Sequence, residues 1–331
     1  MVIERQMDEN ASFIKPDKLF RLEVCSFCSF RCHFCCWENR NVNSSFLQLP
    51  EGGARIIAEA LVQTGCFNVN ITGGEPLLLP REYLCAVIRE IQSVDGVRQL
   101  WITSNGLALT DRTLCENLYS AGLTDLAVSI AAETDQNYMR YTRTHTTLSD
   151  IIKGIQIAEN CGLRIRVHVP LNPVGIASYK QLIKLIERLT ETNVTTVSFF
   201  RLHNSNKIAL EYGKLHIDPN TVTVGFSESP KWKFDCSGRP FYTNGRIKVL
   251  VPRESIHLVT ENCKSQNCDA FCQGIYSAYM IPYGEGWTLR ACHRVFDDHR
   301  NEYPLNSSLL EEKNEELTEL LHYVWRYAYD K

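Results

Sequence analysis

The sequence predicts an α/β protein built as a partial (β/α)6 TIM barrel, followed by a small, cysteine-bearing C-terminal domain. From about residue 19 to 203, short β-branched runs alternate with helical segments, at intervals too long for hairpins and suited to βαβ units with parallel strands. After residue 204 that rhythm stops. The cysteines fall mainly in two groups, one inside the rhythmic segment and one beyond it.

The six expected strands are Leu19 to Cys25, Phe67 to Thr72, Val97 to Thr103, Asp125 to Ile130, Leu163 to Val169 and Thr195 to Arg201. Helices are expected between them at Glu51 to Gln63, Arg81 to Ser93, Asp111 to Ala121, Leu148 to Asn160 and Ser178 to Leu189, several opened by a Pro, Ser, Thr or Asp. Six units fall short of the eight that close a barrel, so an open form is expected. This barrel is taken as residues 18–205. A bridging segment, 206–262, holds strand candidates at Thr221 to Phe226 and Arg246 to Val251 among Asp-Pro, Ser-Gly and Asn-Gly turn pairs. The last part, 263–331, carries the second cysteine group. From Ser307 to Tyr329, Leu309, Leu310, Leu317, Leu320, Leu321, Val324, Trp325 and Ala328 recur at helical spacing, predicting an amphipathic terminal helix.

With 331 residues, 44% hydrophobic and 22% charged, the chain can bury a substantial core. Net charge is −3 and the basic residues are scattered, so no nucleic-acid partner is expected and a small or medium substrate is. No apolar run approaches the roughly 20 residues that span a bilayer, and Met1 to Asn10 leads into no apolar signal segment. A cytoplasmic protein without a membrane partner is the expectation. Of 14 cysteines, five lie between Cys25 and Cys36 and four between Cys263 and Cys292. Without a secretion signal, such clustering points to metal binding rather than disulfides.

The first group reads VCSFCSFRCHFCCWE, in which Cys28, Cys32 and Cys35 are spaced C-x3-C-x2-C. Three thiolates on one loop can ligate three irons of a [4Fe-4S] cube and leave the fourth open. The competing reading is a zinc knuckle with His33, Cys25 or Cys36 as fourth ligand. Further motifs follow successive strands: Thr72-Gly73-Gly74-Glu75-Pro76, Thr103-Ser104-Asn105-Gly106, Ser129 with Arg140 and Arg143 beyond it, and Val167 to Asn172. Each alone is an ordinary turn or cap. Parallel βα barrels, however, place reacting groups at the carboxyl ends of their strands, where all of these fall.

On these residues, with Phe34 before the last cysteine and the strand LFRLEV, the segment from about 18 to 205 resembles the radical S-adenosylmethionine (SAM) superfamily. The resemblance implies a [4Fe-4S] cluster on Cys28, Cys32 and Cys35 whose open iron binds SAM. It also implies SAM contacts from Gly73, Gly74, Glu75, Ser104, Asn105, Ser129, Arg140 and Asn172, reductive cleavage of SAM to a 5'-deoxyadenosyl radical, and an external electron donor of flavodoxin or ferredoxin type.

Cys263, Cys268, Cys272 and Cys292 can complete a second [4Fe-4S] cluster or a zinc site, and Ser277 to Ala291 reads as a hairpin turning at Tyr283-Gly284-Glu285-Gly286. The order resembles the auxiliary-cluster region of the twitch/SPASM branch, which includes the cyclase of molybdopterin-precursor biosynthesis. The spacing departs from that cyclase, and the chain ends Tyr-Asp-Lys where that family ends Gly-Gly. The expected substrate is a small polar metabolite (a nucleotide, nucleoside or sugar) in natural-product or cofactor biosynthesis. The alternative is peptide modification, against which only about 18 residues precede the first strand. A non-catalytic zinc protein is the remaining class. Cys236 is a candidate catalytic hydrogen donor, and Arg201, His203, Tyr276, Tyr279 and Arg290 are candidate substrate contacts.

Overall fold

The computed structural model describes residues 18–35, 47–201, 217–235, 241–250, 277–283, 286–290, 302–311 and 315–329. The six expected strands are present as β1 (Leu19–Cys25), β2 (Asn68–Gly73), β3 (Gln99–Ser104), β4 (Asp125–Ser129), β5 (Arg164–Leu171) and β6 (Thr196–Arg201). Between them lie α1 (Gly53–Gln63), α2 (Arg81–Gln92), α3 (Arg112–Ser120), α4 (Asp135–Thr142), α5 (Leu148–Asn160) and α6 (Tyr179–Arg188). The later elements are α7 (Pro219–Glu228), β7 (Lys233–Asp235), β8 (Phe241–Thr243), β9 (Lys248–Leu250), β10 (Ser277–Tyr283), β11 (Gly286–Arg290), β12 (Glu302–Leu305) and α8 (Glu315–Tyr329).

The strands form one sheet in the order β12-β11-β10-β1-β2-β3-β4-β5-β6-β9-β8-β7. From β10 to β9 every neighbouring pair is parallel. Antiparallel pairs flank this stretch on both sides.

Strand periodicity splits the sheet into two chemically different faces. Leu22, Ile71, Ile102, Leu126 and Ile165 are successive register partners across β1 to β5. All five are buried and share one apolar cluster with Ile57 and Leu61 of α1, Leu84 and Ile88 of α2, and Ile151 and Ile155 of α5. Each such side chain contributes roughly 1.5–3 kcal/mol by leaving water. The row one residue earlier is Arg21, Asn70, Trp101, Asp125 and Arg164, and it faces away from the helices. A parallel sheet normally covers both faces with apolar residues, and this polar inner face departs from that pattern.

Helix starts follow the side chains available. Thr147 and Asp150 form a capping box on α5, and Asp111, Thr134 and Ser178 cap α3, α4 and α6. Helix α4 was not among the expected elements, because its eight residues show only a short apolar stripe. Two buried tyrosines three apart, Tyr138 and Tyr141, anchor it.

Two expectations need correction. Thr221 to Phe226 is not a strand but part of α7. Its β-branched residues suggest a strand, yet Asp218 accepts from the Asn220 N–H at 3.0 Å, Pro219 occupies the first turn, and Val222 and Phe226 are buried four residues apart. Phe226 packs against Tyr179, Trp232 and Tyr242 with ring centroids 4.9, 4.9 and 5.5 Å away. The terminal helix is broken, with a 3-10 turn at Ser307–Leu310 before α8, although Leu309, Leu310, Leu317, Leu321, Val324 and Trp325 are buried as expected.

The hairpin is present, Tyr283 pairing with Gly286. Its placement beside β1, with Leu22 opposite Met280 in parallel register, was not expected. Cys236, Cys263, Cys268, Cys272 and Cys292 lie outside the described residues, as do His203 and Tyr276.

Ile71→Ala removes a fully buried side chain from the apolar row and is expected to cost about 2–5 kcal/mol. Val224→Ala, at a position 49% exposed, is expected to stay within about 0.5 kcal/mol. Urea unfolding of both variants checks the contrast.

Candidate active site

The loop leaving β1 is held by backbone contacts that only glycine permits. The Gly74 N–H donates to the Cys25 carbonyl at 2.7 Å, and the Glu75 N–H to the Phe27 carbonyl at 2.8 Å. A Cβ on Gly73, whose φ is +129°, would stand 2.3 Å from the Cys25 oxygen, and one on Gly74 would stand 2.0 Å from the Phe27 oxygen. The paired glycines therefore let the cysteine loop lie directly against the turn after β2. On its far side the loop is tied to α4, where the Arg31 and His33 N–H groups donate to the Thr142 and Tyr141 carbonyls, each at 3.0 Å. Phe30 meets the edge of Tyr138, and Phe34 packs on Tyr141.

So held, Cys28, Cys32 and Cys35 border one cavity of about 270 Å³ at the carboxyl ends of the strands. Gly73, Gly74, Ser104, Asn105 and Ser129 border the same cavity. Its remaining wall includes Tyr138, Tyr141 and Phe200, which sequence reasoning did not single out. The i, i+3 spacing of the two tyrosines after Ser129 was the available signal.

Glu75 sits beneath this rim rather than on it. It is 1% exposed and accepts from Asn105 N–H at 2.6 Å, Ser104 Oγ at 2.7 Å and Leu77 N–H at 3.1 Å. Burial pushes its carboxyl up from 4.5 to about 7, against the lowering effect of those three donors. Asn105, fixed by Glu75, turns its Nδ2 to 3.6 Å from Cys28 Sγ. Glu75 thus positions the residue that touches the first thiol.

Asn172 is fully buried. Its Nδ2 donates to the Ala131 and Pro170 carbonyls at 2.8 and 2.9 Å, and its Oδ1 accepts from the Gly175 N–H at 2.6 Å. It organises the end of β5 and brings Pro170, not itself, to the cavity. Arg140 and Arg143 are exposed and do not line it. Arg290 is buried on β11, far along the sheet from the Ser129 rim.

These residues fit an iron-sulfur cluster with an attached small molecule. Cys25 is fully buried with its thiol pushed up to about 12 by burial, and it stays off the cavity, so three thiols rather than four face it among the described residues. Cys28, though exposed as a residue, has its thiol raised to about 11 by desolvation, a penalty that metal ligation offsets by deprotonating the sulfur outright. Among the described residues no three His, Cys, Asp or Glu side chains form a group that could hold a single metal ion, and a cube spreads its ligands over separate irons.

An incomplete parallel barrel with a three-thiol loop at its strand ends defines the class of cluster-bearing barrel enzymes. A family model described as Radical SAM superfamily matches residues 22–187, half of the chain. The chain belongs to the radical SAM superfamily and is an enzyme of that superfamily. It is similar to GTP 3',8-cyclase of Staphylococcus epidermidis, 28% identical over 200 residues covering 58% of this chain and 57% of the relative. The protein of the same name from Staphylococcus aureus is 29% identical over 201 residues, with the same coverage. The chain therefore spans little more than half the length of the curated relatives it matches.

Among solved structures, Streptococcus suis SuiB bound to precursor peptide SuiA aligns with TM-score 0.59 at 15% identity, covering 94% of this chain and 65% of that one. HydG, a maturase of the [FeFe]-hydrogenase, aligns with TM-score 0.51 at 17% identity, covering 62% and 47%. At such identities the likeness concerns the fold. No helix among the described residues is long and apolar enough to cross a membrane.

Gly74→Ala forces a Cβ into the Phe27 carbonyl and is expected to displace the cysteine loop, with loss of the share of iron that Cys28, Cys32 and Cys35 would hold, measured by iron analysis after anaerobic reconstitution. Folded Glu75 keeps its proton up to about pH 7 and the unfolded chain only to about 4.5. Its protonation therefore stabilises the fold fully below about 4.5, and that contribution is lost as pH rises through 7. Melting curves between pH 5 and 8 should show wild type losing up to about 3 kcal/mol relative to Glu75→Gln.

Proposed function

We propose that this enzyme binds SAM at the cavity rim and acts on a small polar metabolite of the nucleotide, nucleoside or sugar class, in natural-product or cofactor biosynthesis. The observation that carries the reading is the meeting of Cys28, Cys32, Cys35, Gly73, Gly74, Ser104, Asn105 and Ser129 around one cavity. When bound, the cluster and SAM supply reductive cleavage to a 5'-deoxyadenosyl radical that can abstract hydrogen from substrate.

The chain's own residues have distinct tasks. Cys28, Cys32 and Cys35 would hold three irons from one side, leaving the cavity side open. Gly73 and Gly74 offer backbone with no side chain at the rim, while Ser104, Asn105 and Ser129 offer short polar groups to an amino-acid or ribose portion. Phe30, Tyr138, Tyr141 and Phe200 line the wall with aromatic surface that keeps water away from a reactive carbon centre. The relatives named GTP 3',8-cyclase support a nucleotide-like substrate, as does the polar inner face.

The reading extends to Cys263, Cys268, Cys272 and Cys292 as ligands of a second, auxiliary [4Fe-4S] cluster in a C-terminal domain of residues 263–331. It takes Cys236 as a hydrogen donor to a substrate radical, and an external flavodoxin or ferredoxin as the electron source.

The test is anaerobic reconstitution, then incubation with SAM, a reductant and candidate metabolites. 5'-Deoxyadenosine should form and increase with one metabolite class, and stimulation by peptides alone would overturn the substrate reading. About eight irons per chain are expected with two clusters. Replacing Cys28, Cys32 and Cys35 together by Ala should leave about four irons and abolish 5'-deoxyadenosine formation.

A further inference from the structure

Beside and beneath the cavity lining, the inner face of the sheet presents buried hydrogen-bond donors without a partner among the described residues. Asn70 on β2 and Trp101 on β3 are register partners and only 1% and 8% exposed. The Arg166 guanidinium on β5 lies 4.4 Å from the Trp101 ring centroid. Asn70 Oδ1 accepts from Thr103 Oγ1 at 3.0 Å, which turns its amide nitrogen the other way. That Nδ2, Trp101 Nε1 and Arg166 Nε are all buried with no hydrogen-bond partner among the described residues.

All three atoms are donors, so they cannot satisfy one another. A buried donor without an acceptor is costly, and three on β2, β3 and β5 suit a ligand rich in acceptor oxygens. The adjacent acid accepts from none of the three: Asp125 takes Arg164 and Thr124 on Oδ2, each at 2.7 Å. The Arg166 group is pushed below its ordinary range by burial, the largest cause, and by the charges of Arg164 and Arg21, though Asp125 works the other way. An anion placed there would relieve that stress.

Position links this floor to the cavity. Thr72 and Thr103 line the cavity and lie two residues beyond Asn70 and Trp101 on the same strands and the same face. Two residues along a strand rise roughly 7 Å, about the reach of a small metabolite with one end at the rim. Charge limits the ligand. Arg21 and Arg166 face inward, Glu23 faces inward two residues from Arg21, and Arg164 is paired with Asp125. Across β1 to β5 the sum is about one positive charge, with Arg290 buried in the same register row two strands beyond β1, so a single oxyanion is the better match.

We propose that Asn70, Trp101 and Arg166 form an oxyanion-binding floor that grips a carboxylate or monophosphate end of the substrate, beneath the rim where SAM would sit. This names a substrate class for the site in "Proposed function", and it rests on that reading only in taking the gripped molecule to be the substrate.

Tryptophan fluorescence of the full-length, reconstituted protein titrated with inorganic phosphate, acetate and tripolyphosphate tests it, with Trp101→Phe identifying the responding side chain. Phosphate or acetate should give a saturable change absent from Trp101→Phe, and the tighter of the two identifies the terminus. Arg166→Gln and Asn70→Asp should each weaken binding tenfold or more while leaving SAM binding intact, and Asn70→Asp decides alone if Arg166→Gln does not fold. The proposal is overturned if neither ion gives a saturable change, if binding is equal in Asn70→Asp and wild type, or if tripolyphosphate binds tenfold tighter than phosphate. Failure of wild type to bind SAM would sink the functional reading instead, without altering the anion titration.

Discussion

The site depends on one close approach of backbone to backbone. The turn Gly73-Gly74-Glu75 presses against Cys25 to Phe27 at distances no side chain survives, and the two hydrogen bonds there extend the β1–β2 ladder beyond the strands. A loop carrying three thiols would otherwise be mobile, since exposed loops have few contacts to hold them. Clamped between this turn and the last carbonyls of α4, it presents its sulfurs at a fixed edge of the barrel. Glu75 extends the same constraint to β3 by taking the Ser104 and Asn105 donors, so three consecutive strand ends are locked together before any ligand arrives.

Much of this was legible in the residues. The six barrel strands and five of the six intervening helices follow from periodicity and caps, because a strand that buries one face against helices must alternate, as Phe20, Leu22 and Val24 do with Arg21 and Glu23. That Cys28, Cys32 and Cys35 border one cavity was readable, because three sulfurs on one loop need few residues between them. What escaped reading has physical reasons too. The role of Gly73 and Gly74 was expected to be approach to SAM, and their tightest demand turns out to be approach to the cysteine loop, which only coordinates reveal. Glu75 and Asn172 looked like ligand contacts because polar residues after strands usually face the site. Both instead satisfy backbone groups that burial would leave unpaired.

Long-range pairing was the least legible feature. Nothing in Ser277 to Arg290 says that its hairpin lies parallel to β1, more than 250 residues earlier. Hairpin formation is local and leaves a turn signature, whereas the choice of neighbour is decided by which edge of the sheet stands open. Thr221 to Phe226 failed for the related reason that tertiary context overrides β-propensity: Phe226 gains more from its cluster with Tyr179, Trp232 and Tyr242 than its neighbours lose in a helix.

An eight-stranded barrel fills its interior with branched apolar side chains. Here the inner rows hold Arg21, Glu23, Asn70, Thr72, Trp101, Thr103, Arg166 and His168, residues that cannot pack into a dry core without partners. A sheet can keep such a face only if its outer face supplies the stability, and the continuous row from Leu22 to Ile165 does so. The same alternation that stabilises the fold therefore leaves the inner face free to be polar. Stability concentrated on the helix side thus leaves the other side able to carry buried donors that have no partner among the described residues.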